Sequence, residues 1–368
     1  MPLLLGVNKI FMVTYKARAH CRGTPTLKIP HISLLLASIV AGVAFSVTSA
    51  EAATPSLPSA GVHPANIRGI PPSAGPNRPG SVPEGFVITP FGYFHPSCVQ
   101  SLAQGERVLA DGRIQHADGT VAEKAAVCSY PHYTRAGVPS GVSGQEPAEA
   151  GSEVTASPEI NGWVESASII TGSATEGYGA LIATWTVPPQ PPSDDGQVLY
   201  FFPGLEDINN VESILQPVLG WYQGQWTLAS WNCCLNGITT NSPPVAVSPG
   251  DEIYGSITNN CVAGTFACAT WNVLSLDLNT GESTTLASTP SNGQNFNWAF
   301  GAVLEAYYIV KCEDYPWQHR LSFDNITIFD QNLHRLYDRR WTAAVDSQDT
   351  PQCHYGVRPR PDRVTLEF

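Results

Sequence analysis

Phe202-Pro203-Gly204-Leu205-Glu206, then Ile214-Leu215-Gln216, and far downstream Ala302-Val303-Leu304-Glu305-Ala306-Tyr307-Tyr308-Ile309 decide how this chain reads. The segments are short, apolar and rich in aromatic and β-branched residues, the composition of strands. Each also carries a polar side chain, which is costly inside an apolar run unless it is partnered. Side chains alternate along a strand, so Glu305 shares a face with Gly301, Val303, Tyr307 and Ile309 if no bulge intervenes. Ala302, Leu304, Ala306 and Tyr308 line the other face. Both faces are apolar, which puts Glu305 in covered or half-covered surroundings. Gln216 shares its face with Ile214 and Val218. Taken singly, each residue has a plain structural reading: an edge-strand amide, and a surface-facing acid on an open sheet. Brought together on one face, an amide and a carboxylate can position and deprotonate a water molecule.

Outward from these segments, one short strand follows another from Asn161 to about Phe329. Strands are expected near Trp163–Ile170, Ala180–Val187, Gln197–Phe202, Glu212–Leu219, Trp226–Trp231, Val245–Val247, Glu252–Ile257, Thr270–Leu278, Ser283–Leu286, Trp298–Val310 and Leu321–Phe329. Turn formers such as Asp194-Asp195-Gly196 and Ser248-Pro249-Gly250-Asp251 punctuate them. No helix of three turns is expected. The fold class is therefore all-β: an antiparallel β-sandwich, concanavalin-like or jelly-roll, over residues 159–330. A small β module precedes it over 85–135, where Asp111-Gly112 and Asp118-Gly119 are hairpin signals. Residues 53–84 and 136–158 are rich in Pro, Ser, Gly and Ala and read as linkers, the first also as a pro-segment. Residues 331–368 read as a polar C-terminal extension.

Composition narrows the function. The formal charge is −12, which argues against nucleic acid and anionic membrane surfaces as partners. Lys9, Lys16, Arg18, Arg22 and Lys28, then the apolar run from Ile32 to Val47 and Ala50-Glu51-Ala52, have the form of a secretory signal over residues 1–52. The run is short for a membrane span. Its removal leaves Lys124 and Lys311 as the only lysines, a balance suited to an acidic medium as well as to solubility alone. Eight cysteines follow the signal: Cys98, Cys128, Cys233, Cys234, Cys261, Cys268, Cys312 and Cys353. In an oxidising compartment they read as disulfides. Cys98–Cys128 and Cys261–Cys268 are expected pairs. Cys233 and Cys234, being adjacent, are expected to reach different partners, Cys312 and Cys353.

The sandwich region has no GxSxG, no HExxH, no DTG-type pair and no His before His319. This disfavours serine, cysteine, zinc and aspartic hydrolases. Hydrolysis would have to use carboxylates and amides alone.

The chain resembles the eqolisins, the glutamic peptidases. Ala183-Thr184-Trp185-Thr186-Val187-Pro188 looks like the family's G-x-F/W-x-V-P strand. Phe202–Glu206 is similar to its W-V-G-I-D segment. Ile214-Leu215-Gln216 matches its I-L-Q with the same ten-residue step from the acidic residue. Val245–Asp251 with Ile253, Leu276–Ser283, and Ala302–Glu305 resemble later strands in order. The resemblance spans about residues 160–330. It implies Gln216 and Glu305 as a catalytic dyad on a concave sheet face. It also implies Phe202, Glu206, Trp231 and Tyr307 as substrate-binding residues. Phe202 stands where the family has Trp, and Glu206 where it has Asp. The segment after the Gln strand is replaced here by Trp226–Cys234. Glu206 also reads as a loop charge, and Trp231 as packing beneath a disulfide. The implied protein is a secreted, acid-active endopeptidase made as a zymogen, with polypeptide substrates, no cofactor or metal, and a monomeric state. Three other readings stand beside it. A carbohydrate-binding sandwich would show rows of exposed Trp. A glycosidase would pair Glu206 with Glu305. A neprosin-like peptidase would need Glu at position 216.

Overall fold

The computed structural model describes residues 71–125, 127–140, 163–173, 175–234 and 237–368. The expected signal, most of the first linker and nearly all of the second lie outside them.

The chain opens with short strands: β1 (Val87–Thr89), β2 (Gly92–Phe94), β3 (Val99–Ser101), β4 (Arg107–Val108), β5 (Ile114–Gln115), β6 (His132–Tyr133) and β7 (Pro139–Ser140). β1 and β2 form a hairpin with Val87 opposite Phe94 and Thr89 opposite Gly92, so Pro90-Phe91 is its two-residue turn. Gly92 has φ +116°, and a Cβ there would collide with the Tyr133 carbonyl; only glycine fits. Both Asp-Gly signals fall in turns, with Gly112 at φ 83° and Gly119 at φ 87°.

Longer strands follow: β8 (Trp163–Ile170), β9 (Tyr178–Thr186), β10 (Val198–Asp207), β11 (Asn210–Tyr222) and β12 (Gln225–Cys233). Then come β13 (Thr239–Asn241), β14 (Val245–Val247), β15 (Glu252–Asn259), β16 (Thr270–Asp277), β17 (Ser283–Pro290) and β18 (Trp298–Tyr307). β19 (Arg320–Asp330), β20 (Arg335–Leu336), β21 (Thr342–Val345), β22 (Gly356–Arg360) and β23 (Arg363–Glu367) close the chain. One sheet has the order β21-β8-β18-β10-β11-β12-β13-β3, with β14 also on β12. The other has the order β17-β16-β15-β9-β19-β23-β22, with β20 on β19. Pairings within both are antiparallel except β13 with β3. The fold is the all-β sandwich that the alternation implied.

Two apolar layers form. Leu199, Phe201, Leu205, Leu215, Leu219 and Leu304 pack between the sheets against Trp185, Ile257, Phe323 and Leu366. On the opposite face of the first sheet, Tyr200, Phe202, Val218, Trp231, Phe300 and Val303 pack against Phe86, Ile88, Tyr93 and Phe94 of the small module. The central strands β10 and β18 are thus buried along their whole length. Leu102 and Val108 of the module also join the inter-sheet core, and β3 adds to the first sheet beside β13. Ala74 and Val82, from the Pro-rich stretch before the module, are buried in the second layer.

The final residues are structural as well. β21 pairs with β8, and β23 with β19, so both sheets gain strands from the stretch that the sequence left as an extension. Cys98–Cys128 and Cys261–Cys268 are bonded as expected. The expectation for the others is corrected: Cys233 bonds its neighbour Cys234, and Cys312 bonds Cys353. The latter ties the β18–β19 connection to the segment before β22.

Candidate active site

Strand β10 lies between β18 and β11, and its register fixes the site. Tyr200 is opposite Glu305 on one side and Gly220 on the other. Glu305, Tyr307, Tyr200, Phe202 and Gln216 therefore share the face that the module covers. Trp231, opposite Gln216 on β12, shares it too. Gln216 and Glu305 do not share a row. Gln216 is four residues along β11 from Gly220, about 13 Å at strand rise, and two strands across from Glu305. A bulge in β18, opposite the Phe202–Gly204 stretch of β10, lies between the two rows.

None of these side chains meets solvent. Glu305 and Tyr307 are 1 % exposed, Trp231 2 %, and Gln216, Phe202 and Glu206 0 %. No substrate can reach them while the module lies in place. The reading of Glu305 as a surface-facing acid is thereby overturned.

Glu305 Oε1 and the Tyr307 hydroxyl are hydrogen-bonded to each other, the hydroxyl's one hydrogen being shared with Thr89 O, while Oε2 has no well-aligned donor. Burial pushes the carboxyl up to about 8; the Tyr307 hydrogen bond, Arg135 and the Trp163 indole pull the other way. Desolvation wins because a carboxylate in an aromatic layer loses its water shell. Covered, Glu305 is neutral in an acidic or neutral medium.

The module contributes three consecutive backbone carbonyls. Tyr200 Oη donates to Ile88 O at 2.9 Å, Tyr307 Oη to Thr89 O at 3.1 Å, and Gln216 Nε2 to Pro90 O at 3.3 Å. Three donors from three neighbouring strands thus grip one three-residue segment, whose length is at most about 10 Å. Gln216 Oε1 keeps no partner. Phe202 packs edge-on against Trp163, with ring centroids 5.7 Å apart. Tyr93 packs edge-on against Tyr307 at 5.3 Å.

Glu206 is not on a loop. It sits in β10 opposite Ile214 and Trp298, and neither carboxyl oxygen has a hydrogen-bond partner. Burial, and then Asp207, hold its carboxyl well above the usual range. It lies six residues along β10 from Tyr200, about 20 Å at strand rise. That exceeds the roughly 5–9.5 Å between paired glycosidase carboxyls, so a Glu206–Glu305 glycosidase loses its geometric basis. Trp185, Trp221, Trp226, Trp231 and Trp271 are buried, and Trp317 is the exposed tryptophan among the described residues. No row of exposed Trp supports a sugar platform there.

Two residues here were not singled out in the sequence. Tyr200 could have been found, because it is two positions before Phe202 and so shares its face. Arg135 carried no local signal. It is anchored by Nη1 to Asp349 Oδ1 at 2.8 Å and by Nη2 to Asp346 Oδ2 at 3.2 Å, more than two hundred residues away in sequence.

No family model and no curated protein matches the chain. Among solved structures, scytalidoglutamic peptidase with a peptide-based transition-state analogue is similar at 16 % identity and TM-score 0.41, over 56 % of this chain and 98 % of that one. SCP-B, a member of the eqolisin family in complex with the tripeptide Ala-Ile-His, gives 16 % identity and TM-score 0.39 over 56 % of this chain and 98 % of its own. Aspergilloglutamic peptidase from Aspergillus niger gives 14 % identity and TM-score 0.34 over 46 % of this chain and 98 % of its own.

Proposed function

We propose that this chain is a secreted, acid-active endopeptidase in which Glu305 and Gln216 carry the hydrolysis of peptide bonds. The supporting observation is the burial of both on one sheet face, in a layer otherwise apolar and aromatic, with polar atoms left unpartnered. Buried polar groups without partners cost stability, so their presence needs a use. The motif order that resembles the eqolisins points to the same two residues.

Ionised Glu305 takes a proton from a water molecule as the water oxygen bonds to the scissile carbonyl carbon. The carbonyl oxygen gains the negative charge, while the Gln216 amide, about 13 Å further along the sheet, donates to the backbone of the same peptide and holds it in register. The C–N bond then breaks, and Glu305 returns its proton to the leaving nitrogen. Tyr307 holds Glu305 in place through the hydroxyl bond already present. A general base must be ionised, and beneath the module Glu305 is not. Rehydration of the carboxyl on uncovering restores an ordinary glutamate pKa near 4, which suits a base working in mildly acidic medium. The stagger between Gln216 and Glu305 has the two groups engage one extended peptide at different points.

The test is cleavage of casein at mildly acidic pH by the wild-type chain, Glu305→Ala and Gln216→Ala. Loss of cleavage in Glu305→Ala, and a fall in kcat/KM of about ten- to hundred-fold in Gln216→Ala, which loses a positioning contact, is expected. Equal cleavage by all three would end the assignment.

A further inference from the structure

We propose that Asn325 is an acceptor for an N-linked glycan, and that the fold seats the first sugar of that glycan in a polar cleft on the outer face of the second sheet. The assignment rests on the reading of the chain as secreted and is independent of the chemistry at Glu305.

Three observations carry it. The first is the sequence. Asn325-Ile326-Thr327 is the one Asn-x-Ser/Thr triplet in the chain, the pattern at which glycans are attached to secreted proteins. The second is the backbone. Asp324 is opposite Thr184 and Thr327 opposite Ile182, so β19 takes three steps where β9 takes two. The extra residue makes a bulge, which re-aims a side chain. Asn325 lies in the left-handed region there, at φ 53°, a conformation that Asn tolerates better than most residues. Ile326 turns into the core at 4 % exposure, and Asn325 is left exposed. The bulge is held on both sides. Ile326 N donates to Asp362 O at 2.9 Å, in the β22–β23 turn, and Thr327 Oγ1 donates to Asn325 O at 3.2 Å.

The third is the surroundings. Trp185 and Phe323 pack between the sheets, so alternation puts Thr184 and Asp324 on the outer face. Asn325 lines a cleft of about 470 Å³ there with Thr184, Thr186, Glu252, Arg360 and Asp362. Such a lining suits the hydroxyls and acetamide of a sugar, which need hydrogen-bond partners when they leave water. Asn325 Nδ2 donates to Thr184 Oγ1 at 2.9 Å. In the transfer, Nδ2 bonds to the anomeric carbon of an oligosaccharide carried on a lipid pyrophosphate. The bond from that carbon to the pyrophosphate oxygen breaks, and the lipid pyrophosphate leaves with the electron pair. The amide gives up one of its two hydrogens as a proton. The other keeps the bond to Thr184, so the side chain holds its place and the sugar leaves Nδ2 into the cleft.

A bulge at positive φ is by itself a reason for Asn, and Asp meets the same need. The test separates the two roles. The full chain is produced in a yeast that glycosylates such triplets, once with its own residues 1–52 and once with these exchanged for the yeast's own secretion signal. Intact mass is read before and after a glycan-releasing amidase. One glycan is expected, absent from Asn325→Asp and Thr327→Ala and retained in Thr327→Ser. Asn325→Asp is also the polypeptide that the amidase leaves behind; if it fails to fold, Thr327→Ala decides. Release from the folded chain is expected to quicken about five-fold in Arg360→Ala, which removes a donor to the first sugar. A chain secreted behind the yeast signal without a glycan, a glycan that persists in Thr327→Ala, or release unchanged by Arg360→Ala overturns the inference. A glycan behind the yeast signal and none behind residues 1–52 leaves the acceptor site standing and removes the secretion reading.

Discussion

β10 and β16 have similar lengths and lie in the two facing sheets, yet they bury their side chains differently. β16 alternates strictly, one side chain covered and the next half-exposed, from Thr270 to Asp277. β10 is covered at every position from Val198 to Asp207. A strand with one face on a core and the other facing water alternates; a strand covered on both faces need not. The second cover is the N-terminal module, and beneath it lie Glu305 and Gln216. The polar residues that matter here stand out because the strand around them has no open face on which to place them.

That contrast can be broken in several ways. The largest expected effect is on chemistry. Glu305→Gln removes hydrolysis, whereas Asn272→Ala, on the half-exposed side of β16, leaves kcat within about two-fold, since surface changes away from a site are small. Comparable losses from both would erase the distinction between the two faces. Next comes stability. Phe202→Ala, on the covered outer face of the first sheet, is expected to cost about 3–5 kcal/mol in urea denaturation. A cost under about 1 kcal/mol would mean that the module packs loosely on that face.

The third effect depends on pH. Burial raises the Glu305 carboxyl to about 8, so the folded chain favours its protonated form. The stability this contributes is complete below the ordinary glutamate range and is lost as pH rises through about 8. Glu165, pushed up to about 9 by burial, and Glu206 act in the same direction. The difference between wild type and Glu305→Gln therefore isolates Glu305. Melting temperatures of the two should lie closest in acid and diverge as pH rises, the variant being the more stable above pH 8. Parallel curves would mean an exposed or paired carboxyl. The smallest effect is Leu276→Ala. This residue is half-buried on the open side of β16, and its loss is expected to cost about 0.5–1 kcal/mol, below the range for a fully covered leucine.

Much of this was legible in the chain, and the limits are physical. Period-two alternation and turn residues gave the all-β sandwich. The apolar run on both sides of Glu305 announced a covered strand. That Gln216 and Glu305 share a face depended on the pairing of β10 with both neighbours, which puts Tyr200 opposite Glu305 and Gly220 and which strand parity alone does not reveal. The stagger between them comes from the same register. The covering hairpin was invisible, because its contacts with Tyr200, Gln216 and Tyr307 join residues 112 to 218 positions apart. Glu206 reads as a loop charge because it ends an apolar run, yet β10 continues through it to Asp207. The Cys233–Cys234 bond contradicted the expectation that neighbouring cysteines look elsewhere. The Arg135 ion pairs and the strands after residue 331 left no periodic pattern, being held by distant partners.

The infrared carboxyl spectrum at pH 6, taken as the difference between the intact wild-type chain and Glu305→Gln, tests the covered site most directly. A neutral carboxyl band lost in the variant is the expected result, since a group titrating near 8 is protonated there. An ionised carboxylate band in its place would contradict burial of Glu305 beneath the hairpin, and with it the picture of a covered site.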